Sequence, residues 1–217
     1  MLSLLQELEE TLASRHEIRS AFEARFRPFF AERGFRPRKW NLFEREVNDV
    51  VQHIAIGPLS KAHGGFGITG GGFGVRIPAV EAIRGSDRDD STVGMPLHMI
   101  APGTEVQHEW PVANADEVGL AAREIQAAIE RFGFPYLDRM NSMNAVLQLL
   151  EADDWHKSFA SSQDGRDSVL VYATPVTKSP DEAVELGRRL LENYRGLPYN
   201  RSILLNEAIA KCSSPSG

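Results

Sequence analysis

Apolar residues recur at helical spacing from the start of the chain. Leu5, Leu8 and Leu12 are followed on a similar stripe by Ile18, Phe22, Phe26 and Phe30. The pattern predicts helix over residues 3–33. Its phase slips around Ser14-Arg15-His16, which predicts two helices or a bend. Pro28 removes one backbone donor and should kink the last turns, and Gly34 is the natural stop. Phe22, Phe26, Phe29 and Phe30 at this spacing read as core rather than as an aromatic box for a ligand.

The period then shortens. Trp40 to Glu46 and Val50 to Ile56 read as strands joined by a turn at Asn48-Asp49. A glycine doublet comes next, over residues 65–77: Gly-Gly-Phe-Gly-Ile, then Gly-Gly-Phe-Gly-Val. Phe66 and Ile68 share one parity; Phe73, Val75 and Ile77 share the other. A change of face of this kind demands a bulge or a break between them. Residues 84–94 form a polar loop. Leu97–Ala101 and Glu105–Val112 read as a hairpin around Pro102-Gly103-Thr104.

Helical spacing returns in the second half. Asn114, with Glu117 three residues on, starts a helix whose stripe runs from Val118 to Phe132 and ends at Gly133. Phe134-Pro135-Tyr136-Leu137 is a connector that docks into the core. Asn141 or Ser142 opens another helix, carried by Val146, Leu147 and Leu150. Val169–Ala173 is ambiguous between strand and helix. Ser179-Pro180-Asp181-Glu182 is the clearest start signal, with a cap, a proline at the first helical position and a glutamate at the third. That helix should reach Gly196, and a last one should span 201–211. The sum is an α+β fold: an antiparallel sheet of four to six strands covered by helices on one face. Residues 1–154 form the core domain, and residues 155–217 a helical extension.

Composition narrows the class. The 217 residues are 42% hydrophobic and 25% charged, ordinary for a soluble globular protein. No apolar run approaches the roughly 20 residues that cross a bilayer. The first residues are acidic and lack the basic start of a signal peptide. The expected compartment is the cytoplasm. A net charge of −6 argues against general nucleic-acid binding and suits a basic protein partner. The lone Cys212 cannot form an internal disulfide.

The glycine stretch resembles a phosphate-gripping loop but lacks its Gly-Lys-Ser/Thr ending. It reads as a bulged or tightly approached strand, with Gly70, Gly71, Gly72 and Arg76 as the candidate ligand-binding residues. The six histidines raise a metal alternative. A three-residue loop at 102–104 would set His98 opposite His108, about 4.5–5.5 Å apart at Cβ, with His53 as a third ligand. Polar sheet-surface histidines are the plainer reading. The acidic runs Glu44/Glu46, Asp87/Asp89/Asp90 and Asp153/Asp154 lie in polar surroundings and read as solvated. No Gly-x-Ser-x-Gly elbow occurs. Arg36, Arg38, Lys39 and Trp40 form a basic-aromatic cluster, read as solvated charges leading into a strand. No catalytic residue and no cofactor is expected.

Three runs carry a family resemblance: Phe26-Arg27-Pro28-Phe29-Phe30-Ala31-Glu32-Arg33-Gly34-Phe35-Arg36, Phe43-Glu44-Arg45, and Asn48-Asp49-Val50-Val51-Gln52-His53-Ile54. With the later Gly133 to Leu137, the chain resembles an uncharacterised bacterial domain-of-unknown-function family of small cytoplasmic α+β proteins. Its pattern is a helix ending in Gly-Phe-basic, a strand with Phe-x-Arg and a strand with Gln. The similarity covers residues 20–150; the glycine doublet and the helices after 150 depart from it. It implies an immunity-like or toxin-neutralising role and transfers no catalytic residue. The expected function is a non-enzymatic protein-binding module. The alternatives are a metal-dependent enzyme using the sheet histidines and a small-ligand-binding domain.

Overall fold

The computed structural model describes residues 2–57, 66–85, 91–101, 103, 106, 107, 109–152, 162–198 and 201–213. The elements begin with α1 (Leu2–Ala31), β1 (Arg36–Lys39), β2 (Leu42–Val47), β3 (Val50–Ala55), β4 (Phe66–Thr69) and β5 (Gly72–Arg76). They continue through α2 (Pro78–Arg84), β6 (Val93–Pro96), α3 (Leu97–Ile100), β7 (Glu109–Val112) and α4 (Ala115–Ala128). A π-helical turn, Ile129–Gly133, leads into α5 (Phe134–Asp138) and α6 (Met143–Glu151). The rest is α7 (Gln163–Thr177), α8 (Pro180–Leu191), a 3-10 turn at Glu192–Tyr194, and α9 (Ile203–Ser213). The fold is α+β, with a five-stranded antiparallel sheet in the order β1-β2-β3-β5-β6 and a small β4-β7 sheet.

The chain divides into two compact units, each assembled from separated segments. The first takes Met1–Arg45, His53–Phe73 and Pro96–Tyr136. Its core is aromatic: Phe22, Phe26, Phe30, Phe35 and Phe43 are all 1% exposed or less. Phe22 and Phe26 stack with centroids 4.4 Å apart, and Phe30 meets Phe43 at 4.4 Å. The helical stripe is thus core at Ile18, Phe22, Phe26 and Phe30, as its spacing predicts. It is also one unbroken helix, where two helices or a bend were expected. At Pro28 the proline and the residue whose carbonyl it leaves unpaired, Ala24, are both exposed, so water can satisfy that oxygen. Beyond α1, Gly34 (φ +79°) turns the chain so that the Phe35 amide donates to the Phe30 carbonyl at 3.0 Å.

Strand β1 is exposed along its whole length, and its cations and Pro37 suit an unpaired sheet edge. The hairpin expected at 97–112 does not form. Leu97–Ile100 is helix, and β7 pairs with β4 instead, Ile68 opposite Trp110. Helix α4 starts at Asn114, whose side chain accepts from the amides of Asp116 and Glu117. The expected stop at Gly133 is passed through the π turn. A side chain at Gly133 would come within 2.6 Å of the Phe73 ring, so glycine here serves close packing rather than termination. The expected connector Phe134–Leu137 is helical, with Phe134, Tyr136 and Leu137 buried.

The second unit takes Glu46–Gln52, Gly74–Met95 and Leu137–Gly217. The β2–β3 turn, with Asn48 at φ +52°, clasps the chain between α5 and α6. Asn48 Nδ2 donates to Asn141 O at 2.8 Å, and Asp49 Oδ1 accepts the Met143 amide at 3.0 Å. The buried Gln52 donates from Nε2 to the carbonyls of Leu137 (2.7 Å) and Met140 (3.2 Å). Helix α7 lies at the centre of the helical part, packed by α2, α6, α8 and α9. The ambiguous stretch Val169–Ala173 belongs to this helix. Asp167 through Thr174 is continuously buried, so no polar face marks a helical period. The expected polar loop 84–94 contains the end of α2 and the start of β6; its residues 86–90 lie outside the described residues.

Candidate functional site

The glycine stretch is a junction between two sheets. Phe66–Thr69 pairs with β7, whereas Gly72–Arg76 enters the larger sheet. This is the break that the parity change demands. Gly71 makes it possible: its φ is +83°, and a Cβ there would lie 2.4 Å from the Ala55 carbonyl oxygen. Its own carbonyl accepts the Leu97 amide at 2.9 Å. Gly70 faces Leu97 and Trp110, both 3.1 Å from a notional Cβ, and Gly72 has nothing within 4 Å. The glycines lead into a strand and not into a helix N-terminus, so the dipole that draws a phosphate into such loops is missing at this point. Arg76 ends β5, half-buried, with Nε lacking a hydrogen-bond partner among the described residues. Gly64 and Gly65 lie outside the described residues.

The histidine set is dispersed over different elements. His53 is on β3, 7% exposed, and His98 is on α3. His108 lies outside the described residues. The register that would set His98 against His108 rested on the hairpin that α3 and the β4–β7 pairing replace. Among the described residues, no group of three or more His, Cys, Asp or Glu could hold a metal ion. The acidic runs at 87–90 and 153–154 lie outside the described residues.

A cleft of about 430 Å³ lies in the second unit, among α6, α7 and α8. Local sequence explains its walls. Ser162 caps α7 by accepting the Gly165 amide at 3.1 Å, and Ser179 caps α8 by accepting the Glu182 amide at 3.2 Å. Ser142 does the same for α6 through the Ala145 amide. The floor is Leu147, Leu170, Ala173, Leu186 and Leu190, and the other eight lining residues are polar or charged. Some of these polar groups are hydrogen-bonded within the chain. Thr174 Oγ1 donates to Leu170 O at 2.8 Å. Arg166 donates from Nε to Leu150 O at 2.7 Å and from Nη1 to Asp167 Oδ1 at 2.6 Å. At the exposed rim Glu151, Glu182 and Glu185 stand with Lys178 and Arg189.

A buried acidic anchor underlies the floor. Asp167 is fully buried; desolvation pushes its pKa up, against the opposing pull of the Tyr194 hydroxyl and Arg166. Three residues earlier, Asp164 accepts the amides of Leu204 (2.9 Å) and Leu205 (2.8 Å), the second and third residues of α9. It caps that helix from another segment of the chain.

Sequence reasoning missed the cleft. The start of α8 at Ser179-Pro180-Asp181-Glu182 was legible, but the floor residues of α7 sit in the run read as strand or helix. No family model, curated protein or solved structure matches the chain. No helix of the described residues is long and apolar enough to cross a membrane.

Proposed function

We propose that the chain is a non-enzymatic, cytoplasmic protein-binding module that receives an amphipathic helix of a protein partner in the α6–α7–α8 cleft. One observation carries the reading: apolar side chains of α6, α7 and α8 converge on one cleft, with charged side chains of both signs around them. A helix presenting apolar anchors at every third or fourth position fits such a floor, its flanking charges meeting the rim. The cleft's three carboxylates are matched by Arg166, Lys178 and Arg189, so it is the chain's overall charge of −6 that favours basic flanks on the partner. The family resemblance points to a toxin as that partner. The test is affinity capture from the native host with the wild-type chain and with Leu186→Glu. One dominant protein held by the wild type and lost from a folded Leu186→Glu variant is expected. Recovery of nothing by the wild type, or equal recovery by both, would defeat the reading.

A further inference from the structure

A second cavity of the same unit, about 160 Å³, lies where the C-terminal end of α2 meets α7 and α9. Arg84 and Gly85 come from α2 and its cap, and Ser168 and Tyr172 from successive turns of α7. Leu204, Glu207 and Lys211 lie along one face of α9. Local sequence again sets the placement. Asp164 holds the first turn of α9 against α7, and Gly85 (φ +66°) closes α2 by donating its amide to Glu81 O.

The Tyr172 side chain is the unusual feature. The residue is 3% exposed and lines the cavity. Burial pushes its pKa up to about 12, so it stays protonated and remains a donor at neutral pH. The Arg84 charge opposes that rise and the Glu207 charge adds to it, so both reach the hydroxyl electrostatically. The cations are not fully committed. Arg84 has one ion pair, 3.7 Å from Glu81, with its side chain 32% exposed. Lys211 spends one of its three donors on the Arg84 carbonyl oxygen. Ser168 Oγ donates to Gly165 O, which leaves it an acceptor only. The cavity therefore offers a neutral phenol donor, guanidinium donors and ammonium donors, with Glu207 in its lining and Glu81 paired to Arg84.

We propose that this cavity binds a single small oxyanion of phosphate or carboxylate type, held by the Arg84 guanidinium, the Lys211 ammonium and the Tyr172 hydroxyl. Charge-assisted bonds from arginine suit the planar or tetrahedral oxygens of either group. The volume accommodates one such group and excludes a nucleotide. Glu207 and Leu204 form the side facing what the group is attached to. The site uses different residues from the α6–α7–α8 cleft and stands whether or not that cleft takes a partner.

The test is titration of the full chain with inorganic phosphate and, separately, with acetate, at constant ionic strength, read by calorimetry and thermal unfolding. Tyr172→Phe and Lys211→Gln are run alongside. Saturable binding of one anion is expected; a stronger response to phosphate or to acetate decides the type. Removing the phenol oxygen should weaken binding about tenfold, the loss of one such hydrogen bond. The same change should leave the anion-free protein about as stable, because the buried ring is kept. Lys211→Gln should weaken binding without altering the fold. The proposal fails if neither anion saturates, or if both variants bind as the wild type does.

Discussion

The Tyr194 hydroxyl donates a 2.9 Å hydrogen bond to Oδ2 of Asp167, a carboxylate with no exposed surface. Its other oxygen receives Arg166, which also holds the last turn of α6 through the Leu150 carbonyl. One buried acid thus ties α6, α7 and the 3-10 turn after α8 together. Desolvation raises its pKa above the ordinary 3.8, so the folded state holds this proton more tightly than the unfolded state. Between 3.8 and the raised value the folded chain binds more protons, and stability falls as pH rises. Below the unfolded value that contribution is complete. Urea unfolding of wild type and Asp167→Asn from pH 7 to pH 4 reads it directly. The stability of wild type relative to the variant should grow as pH falls through that window. A difference that shrinks would mean Arg166 stabilises the anion more than burial penalises it.

Tyr194→Phe isolates the other half of the contact. It leaves Asp167 Oδ2 without a donor in a place water does not reach, at a cost of about 1–3 kcal/mol. The loss should be larger at pH 7 than at pH 4, where a protonated carboxyl has less need of a donor. A shift in chemical-denaturation midpoint at both pH values checks this.

Gln52 predicts a similar dependence on a single side chain. Its amide reaches two carbonyls at the end of α5 from a strand more than eighty residues away. Gln52→Leu keeps the volume and strands both oxygens, so it should destabilise by about 1–3 kcal/mol. Ser179→Ala, by contrast, removes only an exposed cap and should cost about 1 kcal/mol. Ranking the two by urea midpoint separates a long-range buried bond from a local one.

Those two residues also mark the limit of what the sequence reveals. Signals that act within one turn were readable: Ser179 with Pro180 and Glu182, Asn114 with its amides, Ser142 before α6. So was the Phe22–Phe26–Phe30 stripe, because one period serves one core. Helices α2 and α3 were not seen, because Ile77 and Pro96 at their N-caps supply no side-chain cap. Strands β1 and β6 are four residues each, too short for alternation to declare itself. Helix α7 is buried along Asp167–Thr174 and so has no polar face to give a period. The cleft lies partly on that helix, and the network beneath it joins Asp164 to Leu204 and Leu205, and Asp167 to Tyr194. Separations of 27 to 41 residues leave no imprint on local spacing.

Cys212 is 6% exposed and lies on α9, its sulfur 3.8 Å from the Val171 carbonyl. Burial raises its thiol pKa, so little thiolate is available to react. A disulfide reagent at pH 8 should label the native chain at least ~100-fold more slowly than the same chain in urea, since labelling then waits on opening of α9. Rapid stoichiometric labelling of the native protein would place the sulfur at the surface and contradict the packing.

The sheet junction gives the sharpest contrast, because two adjacent glycines differ in what they face. At Gly71 a methyl group would meet the Ala55 carbonyl oxygen at 2.4 Å and the Ile56 Cα at 2.9 Å, both backbone atoms that cannot swing aside. Its φ of +83° adds the strain of a left-handed conformation. Gly71→Ala should therefore destabilise by about 2–5 kcal/mol, from strain and overpacking together. At Gly72 the space is open and φ is not positive. Gly72→Ala should stabilise by about 0.5 kcal/mol, because alanine loses less backbone entropy in a strand than glycine does. If the two substitutions proved equally harmful, the second glycine would have a role that chain path does not explain. If both were harmless, the close approach at Ala55 would be wrong, and with it the account of how one strand leaves the small sheet for the large one.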